Sequence, residues 1–278
     1  MHVIKKIVAV VVIFITSLTM HVQAKSVFIL IHGTWGSDCS WYAPKGDFFD
    51  ALEDTVSEKD SVVVSFRWSG GCSHESRINA ARSLVKLIKT YDVNTAIFLV
   101  AHSHGGNVAT LASHFLAEEE GNRYRIRALF TLGTPVMSNY FPNMKVIQYL
   151  YNLFSFEDII QTVLGISCRE YPEHKRIANL RVVINGKEPD HAGLRQPLVG
   201  KWLPYVHQYF KQHLQGKNIM DHISEPSVVY FDDNKAPEYA HDIQRNELLE
   251  RDRQLSLLIL NSLRNPLDTG SNISLTNL

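Results

Sequence analysis

The clearest indication of architecture in this chain is the segment Ala96-Ile97-Phe98-Leu99-Val100-Ala101-His102-Ser103-His104-Gly105-Gly106-Asn107. Its first five residues are apolar without polar alternation, which is typical of a strand buried on both faces. From residue 107 to residue 116 the apolar residues recur at helical spacing. We therefore predict a strand, a sharp turn and a helix, with the hydroxyl of Ser103 raised above the sheet at the turn.

The regions on either side of this stretch repeat the alternation of strand and helix. Further apolar runs occupy residues 27–31, 62–66, 128–132 and 180–184, with a less regular run near 149–156. Helical patterns occupy residues 76–89, 107–116 and 202–214. This order predicts an α/β fold with a mostly parallel sheet of about six strands and helices on both faces. Catalytic groups in such sheets gather at the carboxyl ends of the strands.

Two loops at that edge could supply backbone N–H groups to an oxyanion. Ser103 lies where a helix N-terminus leaves N–H groups unpaired, so the N–H of His104 is the first candidate donor. The segment His32-Gly33-Thr34-Trp35-Gly36 ends the first strand, and there Thr34 is the best candidate for the second donor. Taken alone, each glycine-rich segment could equally be a tight surface turn.

Together, the two motifs resemble those of the α/β-hydrolase superfamily, in particular its small bacterial lipases and esterases. The resemblance covers roughly residues 27–214. It implies a minimal α/β-hydrolase fold, since the two antiparallel strands that open larger members are lacking. The first small residue of the turn is Ala101, a choice that many lipases share.

The resemblance also implies a catalytic triad in the chain order serine, acid, histidine. Ser103 is the expected nucleophile. The acid should follow the strand near residues 150–156, which favours Asp158 and leaves Glu157 as the alternative. The histidine should follow the run at 180–184, which favours His191.

Histidines are too numerous to serve as a signal by themselves, because the chain has 13 of them. Position in the topology favours His191 over His174 and His207, and His207 falls on a predicted helix. His102 and His104 flank the serine, but residues two apart around a sharp turn point in different directions. We interpret them as packing residues and predict neither a metal site nor a cofactor.

The resemblance implies that the protein hydrolyses carboxylic esters, lipid esters among them, through an acyl-enzyme. The same residues would serve amide, thioester or acyl-transfer chemistry, because a fold does not choose the substrate. A non-catalytic binding protein on a hydrolase fold is the remaining alternative. Basic and acidic residues balance at 28 each, without the basic footprint of a nucleic-acid binder.

The two ends of the chain differ from the middle. Residues 1–24 combine lysines, a short apolar run and a small residue at Ala24, which is the layout of a secretory signal peptide. We expect cleavage after Ala24 and export to the periplasm or the medium, with an uncleaved anchor as the alternative. The hydrolase domain would then span 25–264, with a helix late in residues 238–263 and a mobile tail at 265–278.

The three cysteines are Cys39, Cys72 and Cys168. Export would permit a disulfide, and the odd number allows at most one within the chain. The topology that the resemblance implies makes the first two strands neighbours, so we expect Cys39 and Cys72 to be paired. Cys168 should lie farther away.

Overall fold

A single eight-stranded sheet forms the centre of the protein. The computed structural model describes residues 25–57, 60–119, 121–163, 168–214 and 227–241, together with residues 250, 254 and 257. Its strands are β1 (Ser26–Ile31), β2 (Ser61–Phe66), β3 (Ala96–His102), β4 (Ile126–Leu132), β5 (Leu150–Phe154), β6 (Ile177–Ile184), β7 (Val228–Asp232) and β8 (Lys235–Ala240). They are arranged in the order β2-β1-β3-β4-β5-β6-β7-β8, and only the β7–β8 pair is antiparallel.

The sheet is larger than the predicted six strands. Each of the predicted strands is present, but β7 and β8 follow the run that we took for the last strand. β8 covers the beginning of the 238–263 segment, and residues 250, 254 and 257 of that segment are helical. β7 follows the helix Pro197–Leu214 and pairs in parallel with β6, so it continues the strand–helix alternation although we did not predict it. β8 is joined to β7 by an antiparallel hairpin, which needs no crossover helix.

Helices cover both faces of the sheet. They are α1 (Asp47–Val56), α2 (His74–Ile88), α3 (His104–Glu118), the short α4 (Ile159–Val163) and α5 (Pro197–Leu214). On β1, Leu30 packs in the core beneath α1 and α5, whereas Ile29 packs in the core beneath α2 and α3. Successive residues of the strand are therefore both buried, which explains its unbroken apolar run.

The predicted disulfide between Cys39 and Cys72 is wrong, because both residues are free thiols, as is Cys168. The expected neighbourhood of β1 and β2 is correct, with Ile31 opposite Phe66. The loops that follow these strands are in contact, since the Trp35 N–H donates to the Gly70 carbonyl at 2.9 Å, but the two cysteines lie in different parts of them. Cys39 packs against the core beneath α1 and α5, while Cys72 leads into α2 on the opposite face.

The predictions for the two ends of the chain concern residues that the structure does not describe. Residues 1–24 and 258–278 are not among the described residues, so the signal peptide and the tail stay predictions. Within the described part of the chain, no helix is both long enough and apolar enough to cross a membrane.

Candidate active site

Ser103 lies on a strained turn between β3 and α3. Its φ of 54° and ψ of −135° are unusual for a residue with a side chain. Three hydrogen bonds stabilise this conformation. The Ser103 N–H donates to the Leu132 carbonyl at 2.9 Å, and the Ser103 carbonyl accepts from Gly106 N–H and Thr134 Oγ1, each at 2.9 Å. Strain of this kind persists where the surrounding structure enforces it, and it is common at active sites.

Three glycines let other segments approach this turn. A Cβ at Gly33 would lie 2.7 Å from the Ser103 Cβ, and one at Gly105 would lie 2.6 Å from the His32 carbonyl oxygen. A Cβ at Gly106 would lie 2.1 Å from Thr134 Oγ1. Glycine at 105 and 106 in the sequence motif is thus required by close contact with the loops that follow β1 and β4.

The loop after β1 is fixed by hydrogen bonds within itself and to the loop after β2. The His32 ring accepts the Trp68 N–H through Nε2 at 3.2 Å, so its Nδ1–H donates to the Gly33 carbonyl at 2.8 Å. Burial lowers the pKa of His32, which favours this neutral form. The Trp35 N–H donates to the Gly70 carbonyl at 2.9 Å. The Thr34 N–H forms no hydrogen bond to the backbone of the described residues.

The other proposed donor lies at the start of α3. The N–H of His104 belongs to the first turn of the helix, where backbone donors have no partner within the helix. The His104 ring accepts from Asn107 Nδ2 at 2.9 Å, and burial lowers its pKa to about 4. This ring is therefore neutral near pH 7 and places no charge beside the serine.

The structure brings Asp158 and His191 together. Asp158 Oδ2 lies 2.7 Å from His191 Nδ1, and Asp158 Oδ1 accepts the Gln161 N–H at 3.1 Å. The Asp158 side chain is fully buried and that of His191 is 18% exposed. An ionised carboxylate only accepts hydrogen bonds, so His191 carries its proton on Nδ1 and leaves Nε2 as an acceptor.

The alternatives to Asp158 and His191 differ from them in exposure or in hydrogen-bond partners. Glu157 is exposed, in contrast to Asp158. His174 accepts the Arg176 N–H through Nδ1 at 3.1 Å. His207 lies on α5 with Nδ1 3.0 Å from the Tyr151 hydroxyl, and burial lowers its pKa to about 4.

His102 is a packing residue that also contacts the loop that carries His191, here called the histidine loop. Its buried ring donates through Nε2 to the His191 carbonyl at 2.9 Å, and the two rings lie 4.4 Å apart between centroids. Burial lowers the pKa of His102 well below its ordinary value, so the ring is neutral. Within the described part of the chain, no group of three or more histidine, cysteine or acidic side chains could hold a metal ion.

The residues that connect the Ser103 turn to Asp158 were not predicted from the sequence. Thr134 donates its hydroxyl to the Ser103 carbonyl, while its own carbonyl accepts from Gln161 Nε2 at 2.7 Å. The Gln161 N–H then binds Asp158. The only available signal was the position of Thr134 just beyond the carboxyl end of β4.

Comparison with solved structures finds matches of low sequence identity. One is a hydrolase of the alpha/beta superfamily from Xanthomonas campestris pv. campestris, which shares 15% identity with this chain. The match covers 69% of this chain and 99% of that chain, with a TM-score of 0.40. An alpha/beta serine hydrolase without lid from Xanthomonas campestris shares 11% identity over 90% of this chain and 85% of that chain, with a TM-score of 0.36.

A metagenomic carboxyl esterase shares 14% identity, with 49% of this chain covered and a TM-score of 0.34. The chain spans about half of that esterase, 51% of its length. No curated protein matches the sequence. The sequence profile of the Alpha/beta hydrolase family matches residues 28–247, which include the whole candidate site. The chain therefore belongs to the alpha/beta hydrolase family.

Proposed function

We propose that the protein is a serine hydrolase that cleaves carboxylic esters, with Ser103 as nucleophile, His191 as base and Asp158 as the orienting acid. The observation that carries this proposal is the 2.7 Å hydrogen bond between Asp158 and His191, at the sheet edge where Ser103 occupies a strained turn. A buried aspartate that holds the Nδ1–H of a histidine leaves the opposite nitrogen free to accept a serine proton.

The proposed reaction proceeds through an acyl-enzyme. Ser103 Oγ attacks the ester carbonyl while His191 Nε2 accepts its proton, and the Asp158 carboxylate stabilises the imidazolium. The N–H groups of Thr34 and His104 bind the resulting oxyanion. His191 then protonates the leaving alcohol, and water releases the acyl group by the same steps in reverse order.

The substrate we propose has an apolar part, as a lipid ester does. Trp35 is 77% exposed and follows Thr34 directly, while Ile159 is 61% exposed and Ile160 is 40% exposed just after Asp158. Large exposed apolar side chains next to a reactive centre are typical of a surface that binds apolar ligands. Their positions beside an oxyanion residue and the acid support an ester with a long apolar chain.

Export is a separate proposal that rests on residues 1–24. We propose that the chain is secreted or periplasmic after cleavage behind Ala24. Mass spectrometry of protein recovered from the expressing cells would then find Lys25 at the N-terminus. A chain that retains Met1 in a membrane fraction would favour the anchored form.

The test of the activity is covalent labelling by a fluorophosphonate probe, combined with hydrolysis of p-nitrophenyl esters. We expect the wild type to be labelled and active, and Ser103→Ala to be neither. Ser83→Ala is the matched control, because Ser83 is exposed on α2 and bonds only the Asn79 carbonyl, among the described residues. Hydrolysis by Ser103→Ala would refute the assignment, and a folded wild type without labelling or turnover would favour a binding protein.

A further inference from the structure

The segment 155–158, here called the acid turn, carries Asp158 between β5 and α4. Ser155 and Asp158 are fully buried, and Phe156 is 4% exposed. Backbone N–H and carbonyl groups in such a place need partners, because burying them unpaired is unfavourable. Two charged side chains from outside the turn supply many of these partners.

The carboxylate side chain of Glu188 accepts hydrogen bonds on the N–H side of the acid turn. Glu188 Oε2 accepts the Phe156 N–H at 2.7 Å and the Ser155 hydroxyl at 3.2 Å. The other carboxylate oxygen, Oε1, binds Arg181 at 2.7 Å, and the two side chains of this ion pair are 18% and 13% exposed. The carboxylate of Glu188 is thus oriented by a largely buried partner on β6.

The guanidinium of Arg169 donates hydrogen bonds on the carbonyl side of the same turn. Arg169 is 2% exposed, and its guanidinium donates to the carbonyls of Ser155 at 2.6 Å and Asp158 at 2.7 Å. It also approaches the Phe156 carbonyl at 3.4 Å and Gln161 Oε1 at 3.2 Å. Hydrogen bonds from a charged donor are stronger than neutral ones, and the planar guanidinium can serve several acceptors at once.

Glu188 has a further consequence because it lies on the loop that carries His191. Only three positions separate the two residues. The histidine loop therefore reaches the acid turn twice, through His191 to the Asp158 side chain and through Glu188 to the Phe156 backbone. The contact of Glu188 with the Phe156 N–H therefore constrains the distance between the Asp158 carboxylate and the His191 ring.

We propose that Glu188 and Arg169 are positioning residues that hold the Asp158 carboxylate in place for His191, an inference that rests on the proposed triad. Neither residue touches the reacting atoms. Because the acid orients the base and does not bind the substrate, loss of either contact lowers kcat and leaves KM nearly unchanged.

The first test is Glu188→Gln, which preserves size and removes the charge. Glu119→Gln is the matched control, because Glu119 forms an exposed ion pair with Lys89 at 2.8 Å. We expect Glu188→Gln to lower kcat about ten- to one-hundredfold with KM within about twofold, while Glu119→Gln stays at the wild-type value. Wild-type kcat in folded Glu188→Gln would overturn the proposal.

A double-mutant cycle asks whether Glu188 acts through Asp158. In the Asp158→Asn background, Glu188→Gln should lower kcat by less than about twofold further, because the group it positions is already lost. The same fold-loss in both backgrounds would show that Glu188 acts by another route and would overturn the proposal.

Proton NMR provides a readout that does not require turnover. The Nδ1 proton of His191, bonded to a carboxylate, should resonate at low field and disappear in Asp158→Asn. We expect Glu188→Gln to shift or broaden this resonance and Glu119→Gln to leave it unchanged. An inactive wild type would refute the proposed function alone, whereas an unchanged resonance in Glu188→Gln would refute the positioning role alone.

Arg169→Lys tests the other side of the turn. The ammonium keeps the charge but lacks the planar fork that reaches separate carbonyls. We expect a loss of kcat of the same order, with the same change in the His191 resonance. Full kcat in folded Arg169→Lys would refute its part in the proposal, and a variant that does not fold would leave the decision to Glu188→Gln.

Discussion

Replacing Gly133 by alanine would place a methyl group against the proposed acid–base pair. Gly133 follows β4 with a φ of +58°, a conformation that residues with a side chain rarely adopt. A Cβ there would lie 2.6 Å from Asp158 Oδ2, 3.0 Å from Leu194 Cδ1 and 3.2 Å from His191 Nδ1. The methyl group would therefore press on both ends of the 2.7 Å hydrogen bond between Asp158 and His191.

The structure separates two contributions to the effect of Gly133→Ala. The positive φ should destabilise the fold by about 1–2 kcal/mol, whatever surrounds the residue. To reach the 3.4 Å at which ordinary contact begins, the Asp158 oxygen must retreat by about 0.8 Å. Displacements near 1 Å at an active site can lower the rate by about 100-fold, which corresponds to about 2.7 kcal/mol of transition-state stabilisation.

Gly121→Ala is the matched control. Gly121 has a φ of +70°, but a Cβ there would meet nothing within 4 Å. We expect both variants to lose similar backbone stability in thermal unfolding, and only Gly133→Ala to lose about 100-fold in kcat/KM for a p-nitrophenyl ester. If folded Gly133→Ala is as active as Gly121→Ala, the assignment of Asp158 and His191 is refuted.

Three further outcomes are expected. Asp158→Asn should lower kcat by about 10⁴-fold, as for the aspartate of serine proteases, and the exposed Glu157→Gln far less; the reverse ranking would move the acid by one position. His207 has an ordinary pKa of 6.5 when unfolded and about 4 when folded, so the unfolded chain binds an extra proton between these values and stability falls as the pH drops through them. His207→Gln should therefore lose less melting temperature than the wild type between about pH 7 and about pH 4.5. All three cysteines should react with a thiol reagent in unfolded protein that has not been treated with a reductant. A linked Cys39–Cys72 peptide would contradict the structure.

The elements that sequence analysis predicted correctly are those with a local signal. β1 and β3 are buried on both faces, so their residues must be apolar without interruption, and such runs can be recognised in the sequence. The turn at Ser103 needs Gly105 and Gly106 within three positions, because any Cβ there would collide with neighbouring loops. β8 is exposed or half-buried along its length and lacks an unbroken apolar run, and the short run of β7 was not counted as a strand, so the predicted strand count was too low.

The order of most of the elements, and the residues that follow the strand ends, could be predicted from local sequence patterns. Combined with the triad order that the resemblance to α/β-hydrolases implies, the order of the elements nominates Ser103, Asp158 and His191, because parallel strands place their carboxyl ends at one edge. Which of the nominated groups are in contact depends on the packing of the loops and became known from the structure. The tertiary structure left Cys39 and Cys72 unpaired although their loops touch, and it joined Glu188 and Arg169 to the acid turn. Such contacts form between segments that are distant along the chain, so their geometry depends on how the loops pack and has no signature in either segment alone.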